Sequence, residues 1–251
     1  MSKSQIRTLI GVLCLAALFV NFAGCKKQAA SEPKVTGEPA KMAPAEKPKE
    51  APAKPAPSGK GGPHKFVMNW MDEQGFIANW LILGPLPNPG ERPDNAGFNI
   101  DYLKDYGGEL NHNPANGMEV KDANGNVLKW KPYISTSPEI NFFSIEDLKL
   151  EPSQEDILVY CACWLDSDAE KEVELRVGSD DGYKLWVNHK LVGEQNVYRS
   201  MELDSETYKV KLNKGKNLIL IKVAQDWGEF QFQMRAVSAD GKEVPGVSVW
   251  N

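Results

Sequence analysis

Cysteine and histidine are scarce in this chain of 251 residues, which has four of the first and three of the second. Cys14 and Cys25 lie in an apolar N-terminal stretch, so only Cys161 and Cys163 remain for the rest of the chain. They stand two residues apart in an apolar run, which on a strand turns both side chains to one face. A disulfide there would strain the strand, because bridge geometry is narrow, so two buried free thiols are expected. With no histidine or further cysteine beside them they make no zinc set. Gly-x-Ser-x-Gly, His-Glu-x-x-His and any glycine-rich phosphate loop are missing too, and with them the usual signatures of nucleophilic, zinc-dependent and nucleotide chemistry. His64, His112 and His189 are scattered. The chain is therefore expected not to be an enzyme. A hydrolase with an unsignalled acidic site would need two carboxylates about 5–10 Å apart across a cleft, which the neighbours Asp180 and Asp181 fit poorly.

Basic residues are also outnumbered where folding is expected. The chain has 29 Lys and Arg against 34 Asp and Glu; residues 1–63 hold 10 and 4 of these, which leaves 19 and 30 in residues 64–251, a net charge of −11. That balance argues against nucleic acid, whose binding rests on cations that neutralise phosphates. It argues equally against adhesion of the domain to anionic lipid.

No apolar run reaches the roughly 20 residues a spanning helix needs. Lys3 and Arg7 instead precede an apolar segment, Leu9 to Val20, followed by Phe22-Ala23-Gly24-Cys25. A basic start, a short apolar stretch and small residues at the cut describe a secretory signal. Small residues directly before Cys resemble a bacterial lipoprotein signal over residues 1–24, with Cys25 the lipidated first residue of the mature chain. The resemblance implies an envelope protein anchored through its N-terminal lipid, and Lys26 resembles the outer-membrane sorting pattern, with either the periplasm or the surface as the face served. A single acyl chain binds membrane weakly, whereas two or more hold. Residues 25–63 are rich in Pro, Ala, Lys and Glu and hold no aromatic residue. They cannot bury enough apolar surface to fold and are expected to be a disordered tether.

Residues 64–251 are long enough for one domain with a sizeable core. Apolar residues recur with a period of two. Val173, Leu175 and Val177 alternate with Glu174 and Arg176, and Tyr208, Val210 and Leu212 with Lys209 and Lys211, which predicts strands with one wet face. The runs 157–164 and 218–223 are apolar in both phases, as in central strands. Asn124-Gly125 and Asp240-Gly241 mark hairpins. Residues 77–83 predict a strand stopped by Gly84-Pro85, and residues 101–106 a short helix ended by Gly107-Gly108. Short strands with regular turns predict an all-β sandwich or jelly roll.

Three stretches carry a family resemblance across about residues 76–249. Asn79-Trp80-Leu81-Ile82-Leu83-Gly84-Pro85-Leu86 is similar to the opening strand and turn of galactose-binding-like jelly rolls, with Leu86 where Phe is usual. Gly178-Ser179-Asp180-Asp181-Gly182, with Trp186, Asn188 and Val192 downstream, resembles the acidic turn and hairpin of the PA14 domain, with His189 in a glycine's place. Residues 214–223 resemble its closing strand. The resemblance implies a galactose-binding-like, PA14-like β-sandwich, of a kind often attached to polysaccharide-processing enzymes as a carbohydrate-binding or structural accessory.

The same resemblance implies a Ca²⁺ ion chelated by Asp180 and Asp181 that binds sugar hydroxyls, with Asn188, Asp166 or Asp168 supplying further oxygens. Such ligands suit a cation that takes 6–8 oxygens. The plainer reading is a turn in which an Asp accepts backbone N–H groups. Trp186 is out of phase with Leu185 and Val187, so it either faces outward, where it could stack on a sugar, or packs against the opening strand or a covering loop. Trp227 sits in a polar loop, where a large aromatic residue points to binding; Tyr198 could add a ring and Arg199 a hydrogen-bonding fork. The long polar loop from Pro87 to Asn99 is either a wall for a ligand or a surface crossover. Two functions are expected: a non-catalytic module that binds a glycan, or the same fold as a structural or interaction module for an envelope protein.

Overall fold

The computed structural model describes residues 74–90, 92, 94–122 and 124–251. The signal peptide, Cys25, the tether and the domain boundary at residue 64 lie outside the described residues. Among the described residues no helix is long and apolar enough to cross a membrane.

The domain is all-β, a jelly-roll-like sandwich in which every paired strand is antiparallel. Its strands are β1 (Asn79–Pro87), β2 (Glu119–Lys121), β3 (Val127–Lys129), β4 (Lys131–Ile134), β5 (Ile140–Asn141), β6 (Ile157–Ser167), β7 (Lys171–Asp180), β8 (Gly182–Val187), β9 (Lys190–Gln195), β10 (Glu206–Leu212), β11 (Gly215–Gln225), β12 (Gln231–Val237) and β13 (Val247–Trp250). One sheet runs β4-β1-β6-β11-β8-β9, with β13 continuing beside β6; the other runs β10-β7-β12-β5, and β2 and β3 form a separate hairpin. The alternating residues of β7, β10 and β12 turn one face into the sandwich, where Val177, Leu212 and Phe232 meet Cys161, Ile221 and Leu185 of the larger sheet. Cys161 and Cys163 are free and fully buried, and burial raises the pKa of both thiols.

The larger sheet is buried on its other face as well. Leu158, Tyr160, Trp186 and Leu220 pack there against Phe98, Leu103, Val120 and Trp130 from the segment between β1 and β4. This explains why β6 and β11 are apolar in both phases. Polar groups anchor the cover. The Lys222 ammonium, wholly buried, donates to the Glu109 carboxylate at 2.6 Å and to the Ile100 carbonyl at 3.0 Å. The Tyr160 hydroxyl donates to the same Glu109 oxygen at 2.6 Å.

Two expectations change in detail. β1 does not stop at Gly84-Pro85; a register shift between Leu83 and Leu86 absorbs the irregularity and pairing with β6 resumes to Pro87. Of the helix expected over residues 101–106 only a single 3-10 turn, Lys104–Tyr106, forms, ended by Gly107 and Gly108 at positive φ.

His112 is buried in this cover. The Trp130 indole N–H donates to its Nε2 at 3.0 Å, while its Nδ1 lies 2.9 Å from the Tyr106 carbonyl and can only donate there. Both contacts fix a neutral ring. Burial lowers its pKa below 6.5, against the Tyr106 carbonyl and Asp101, which raise it, with His189 adding to the lowering. A depressed histidine pKa means that the unfolded chain takes up the proton first. Stability from this site is therefore full above about pH 6.5 and falls as the pH drops below it. A His112→Gln variant is expected to melt lower at pH 7.5 yet to lose this part of the acid slope. Parallel slopes in both proteins would show that His112 does not contribute it.

Candidate functional site

Three connections cross between the sheets at one end of the sandwich. β7 passes into β8 with only Asp181 between them, β9 into β10 through residues 196–205, and β11 into β12 through residues 226–230. The pairings Gln231–Asp180 and Ala224–Gly182 set the first and third side by side.

Asp181 joins all three. It is buried, and its two oxygens accept different backbone N–H groups: Oδ1 from Arg199 at 3.1 Å and Oδ2 from Asp226 at 3.0 Å. A carboxylate suits this, being an acceptor only, with two oxygens. Ser179 Oγ donates to the Asp181 carbonyl at 2.6 Å, and the Asp180–Asp181 peptide is cis.

Asp180 has a different setting. It lines an open cavity of about 280 Å³ together with Asp181, Tyr198, Arg199, Ser200, Trp227, Gly228 and Glu229. Burial, then the charge of Asp181, lifts its pKa to about 6; a backbone N–H from Met201 and the charge of Arg199 act the other way. Trp227 is 65% exposed and Tyr198 48% exposed, so two large ring faces border the cavity beside a carboxyl group.

The raised Asp180 pKa has a definite sign. The folded state holds the proton more tightly than the unfolded one, so stability falls as the pH rises from about 4 to about 6. Asp180→Asn is therefore expected to melt higher than the parent at pH 7 and alike near pH 4. An unchanged or lower melting temperature at pH 7 would contradict this. A polar group that weakens the fold while it lines a cavity is a candidate for function.

Arg199 does not offer its fork to the cavity. Its guanidinium donates to Glu206 Oε1 and Oε2 at 2.5 and 3.0 Å and to the Ser179 carbonyl and hydroxyl at 3.0 and 2.8 Å. Burial opposes its charge, but the bound Glu206 carboxylate holds its pKa above the ordinary guanidinium value. Behind it the Tyr183 hydroxyl meets the Tyr208 hydroxyl at 2.7 Å; burial, then that bond, pushes the Tyr183 pKa far up.

The structure thus brings Asp180, Asp181, Tyr198, Arg199 and Trp227 to one place and leaves the other candidates elsewhere. Trp186 has the outward phase read from the sequence, but the β1–β4 segment covers that face and leaves the ring 3% exposed. It is a core residue. Asn188 sits at the far end of β8, about 20 Å from Asp181 at strand rise. There its amide donates to Asn217 Oδ1 at 2.8 Å and its oxygen accepts the Leu218 N–H at 3.0 Å. Asp166 and Asp168 lie at that same far end, where β6 closes against Gly215 and Lys216, and Asp168 pairs with Lys171 at 2.7 Å. None of the three can share an ion with Asp180.

Part of the site was not read from the sequence. The Pro87–Asn99 loop buttresses the rim rather than walling the cavity. Arg92 contacts Asp226 at 2.5 Å, donates to the Ala224 carbonyl at 3.2 Å and bonds to Asn196, with Tyr198 stacked 5.5 Å from its guanidinium. Asn88 donates to Asp226 Oδ1 at 2.9 Å, and Asn196 to Asn95 Oδ1 at 2.9 Å. Burial raises the Asp226 pKa, against the pull of Arg92. The density of Asn in a long loop was the available signal.

No family model matches the chain, and no curated protein matches it. Among solved structures it is similar to the GH31 alpha-xylosidase from Xanthomonas citri, with 16% identity, a TM-score of 0.31, and 53% of this chain and 17% of that one covered. It is similar also to the A domain of Epithelial Adhesin 9 from Candida glabrata, solved in complex with Galb1-3GlcNAc, at 7% identity, TM-score 0.42 and coverages of 72% and 93%. A third is the PA14 domain of the MpAFP antifreeze protein, at 11% identity, TM-score 0.34 and coverages of 68% and 85%. This chain spans less than a fifth of the xylosidase's length. At these TM-scores the likenesses carry no argument about function.

Proposed function

We propose that the domain binds carbohydrate at the rim where the three crossovers meet, and that it holds its ligand without transforming it. The observation that carries this is the cavity in which the exposed faces of Trp227 and Tyr198 flank the Asp180 carboxyl group. A flat ring packs against the apolar face of a pyranose, and a carboxylate accepts from its hydroxyls. The non-catalytic reading sets Asp181 aside as an acid–base partner of Asp180, since each of its oxygens already accepts a backbone N–H; Glu229, also at the cavity, is the remaining carboxylate that the glycoside assay below addresses.

A Ca²⁺ ion at Asp180 and Asp181 belongs to this proposal. Each Asp181 oxygen accepts one N–H and keeps a lone pair, and Asp180 carries a charge that its surroundings disfavour. The described residues hold no cluster of three His, Cys, Asp or Glu suited to a metal, so backbone carbonyls or the sugar itself would complete the shell. When bound, the ion would supply oxygen coordination for sugar hydroxyls. We propose further that the domain is presented on the bacterial cell envelope by a lipid on Cys25; mass spectrometry of the N-terminal peptide tests this.

The experiment is a glycan array on residues 64–251, run with and without chelator. Binding to a defined glycan group, weakened by chelator, is expected. Silence on every glycan, with melting unchanged by chelator, would overturn the sugar and the ion together. Turnover of chromogenic glycosides that is lost in Asp180→Ala would overturn the non-catalytic reading.

One observation favours a second reading. Val197 and Leu203, both in the β9–β10 crossover, are exposed apolar residues near the same rim, Leu203 at 60%. They add exposed apolar surface to this crossover, which suits an envelope protein as partner. Stoichiometric co-purification of such a protein, lost in Leu203→Ser, would support it.

A further inference from the structure

A further cavity lies away from the rim. It lies beside the β1–β4 edge of the larger sheet and has a volume of about 450 Å³, within the range of about 300–1,000 Å³ usual for small-molecule sites. Ile82, Ile145 and Leu148, all buried, supply apolar surface. Tyr133 stands at its side with the ring packed on the core. Among the described residues the Tyr133 hydroxyl has no hydrogen-bond partner, so it is free to donate to a ligand.

Three lysines converge on this cavity from three elements. Lys129 ends β3, Lys131 begins β4, and Lys149 caps the 3-10 turn Glu146–Leu148. One acid, Asp147, lines it with them, which leaves two positive charges in excess on a domain of net charge −11. The lysines are weakly engaged. Lys131 meets Asp147 at 2.8 Å and Lys129 meets Glu119 at 3.0 Å, and all four side chains are 45–64% exposed. Exposed pairs of this kind are weak, so an incoming anion displaces them readily. Lys149 has no ion-pair partner among the described residues. Its backbone is left-handed, at φ 51°, a conformation that Gly adopts without cost and Asn tolerates. A lysine at such a position, beside a cavity, is a candidate for a use of its side chain.

We propose that this cavity is a second binding site, independent of the rim, for a saccharide that carries an anionic group. The apolar surface and the Tyr133 ring fit the flat face of a sugar, and the lysines fit a pendant anion. Among the described residues no arginine lines the cavity to select a planar carboxylate through a paired fork, and lysine acts as a point charge. The anion is thus a carboxylate or a phosphate.

Titration calorimetry on the full chain tests this with three probes: digalacturonate, glucose 6-phosphate and the neutral disaccharide cellobiose. At least one acidic probe is expected to bind, and which one does identifies the anion. Its affinity is expected to weaken about tenfold or more between about 50 and about 500 mM salt, as charge-driven binding does. The triple variant Lys129→Gln, Lys131→Gln, Lys149→Gln is expected to lose that binding about tenfold or more while it melts like the parent. Trp227→Ala is expected to retain it, which separates this site from the rim. The proposal is overturned if neither acidic probe binds, if cellobiose binds as tightly as they do, or if the folded triple variant binds unchanged.

Discussion

An Asp181→Ala variant is expected to lose about 2–5 kcal/mol of folding stability, read as a lower denaturant midpoint at unchanged slope. The figure follows from the buried N–H of Asp226, which loses its acceptor at about 1–3 kcal/mol, and the part-buried N–H of Arg199, which loses its own at about 1–2 kcal/mol. Asp181→Asn is expected to fall between the two proteins, because its one oxygen still serves one of the N–H groups while its amide turns a donor toward the other. The contrast with Asp180 is sharp although the residues are neighbours. Loss of the Asp180 charge is expected to stabilise at neutral pH, and loss of Asp181 to destabilise. A midpoint for Asp181→Ala within about 0.5 kcal/mol of the parent, the range of an ordinary surface change, would mean that the three crossovers do not depend on this carboxylate.

Trp227→Ala is expected to abolish measurable glycan binding and to leave the fold alone. The side chain is 65% exposed, so its removal opens no cavity in the core, and the melting temperature should match the parent's. For the ligand the ring is the main apolar surface of the rim. Loss of such an anchor costs about 2 kcal/mol or more, roughly thirtyfold in affinity. Equal glycan affinity in the variant would remove Trp227 from the site.

The fold was legible where alternation is local. The wet face of β7 shows in Glu172, Glu174 and Arg176, and that of β10 in Lys209 and Lys211; the central strands β6 and β11 show as apolar in both phases. What lies over a sheet was not legible. The phase of Trp186 was right, but its cover comes from loops, a four-residue helix, one 3-10 turn and a short hairpin far earlier in the chain, too short to show a period. The rim was legible in part. The acidic turn and the loop tryptophan each stand out, but that they lie on neighbouring crossovers shows only in the strand pairing. The division of labour between the two acids was hidden, because Asp181 is claimed by N–H groups 18 and 45 residues away. The fork of Arg199 was hidden for the same reason, since Glu206 and Ser179 take it across two elements. Asn188 was misplaced because the resemblance counts motif spacing along a hairpin, whereas the six residues of β8 carry it to the opposite end of the sandwich.

The most direct test of the rim as a carbohydrate site is backbone amide chemical shifts, recorded on residues 64–251 while the best glycan from the array is titrated in. If the account holds, saturable shifts concentrate in residues 180–182, 198–200 and 227–229. Saturable shifts confined to other parts of the domain, or no shifts from any glycan, would contradict it.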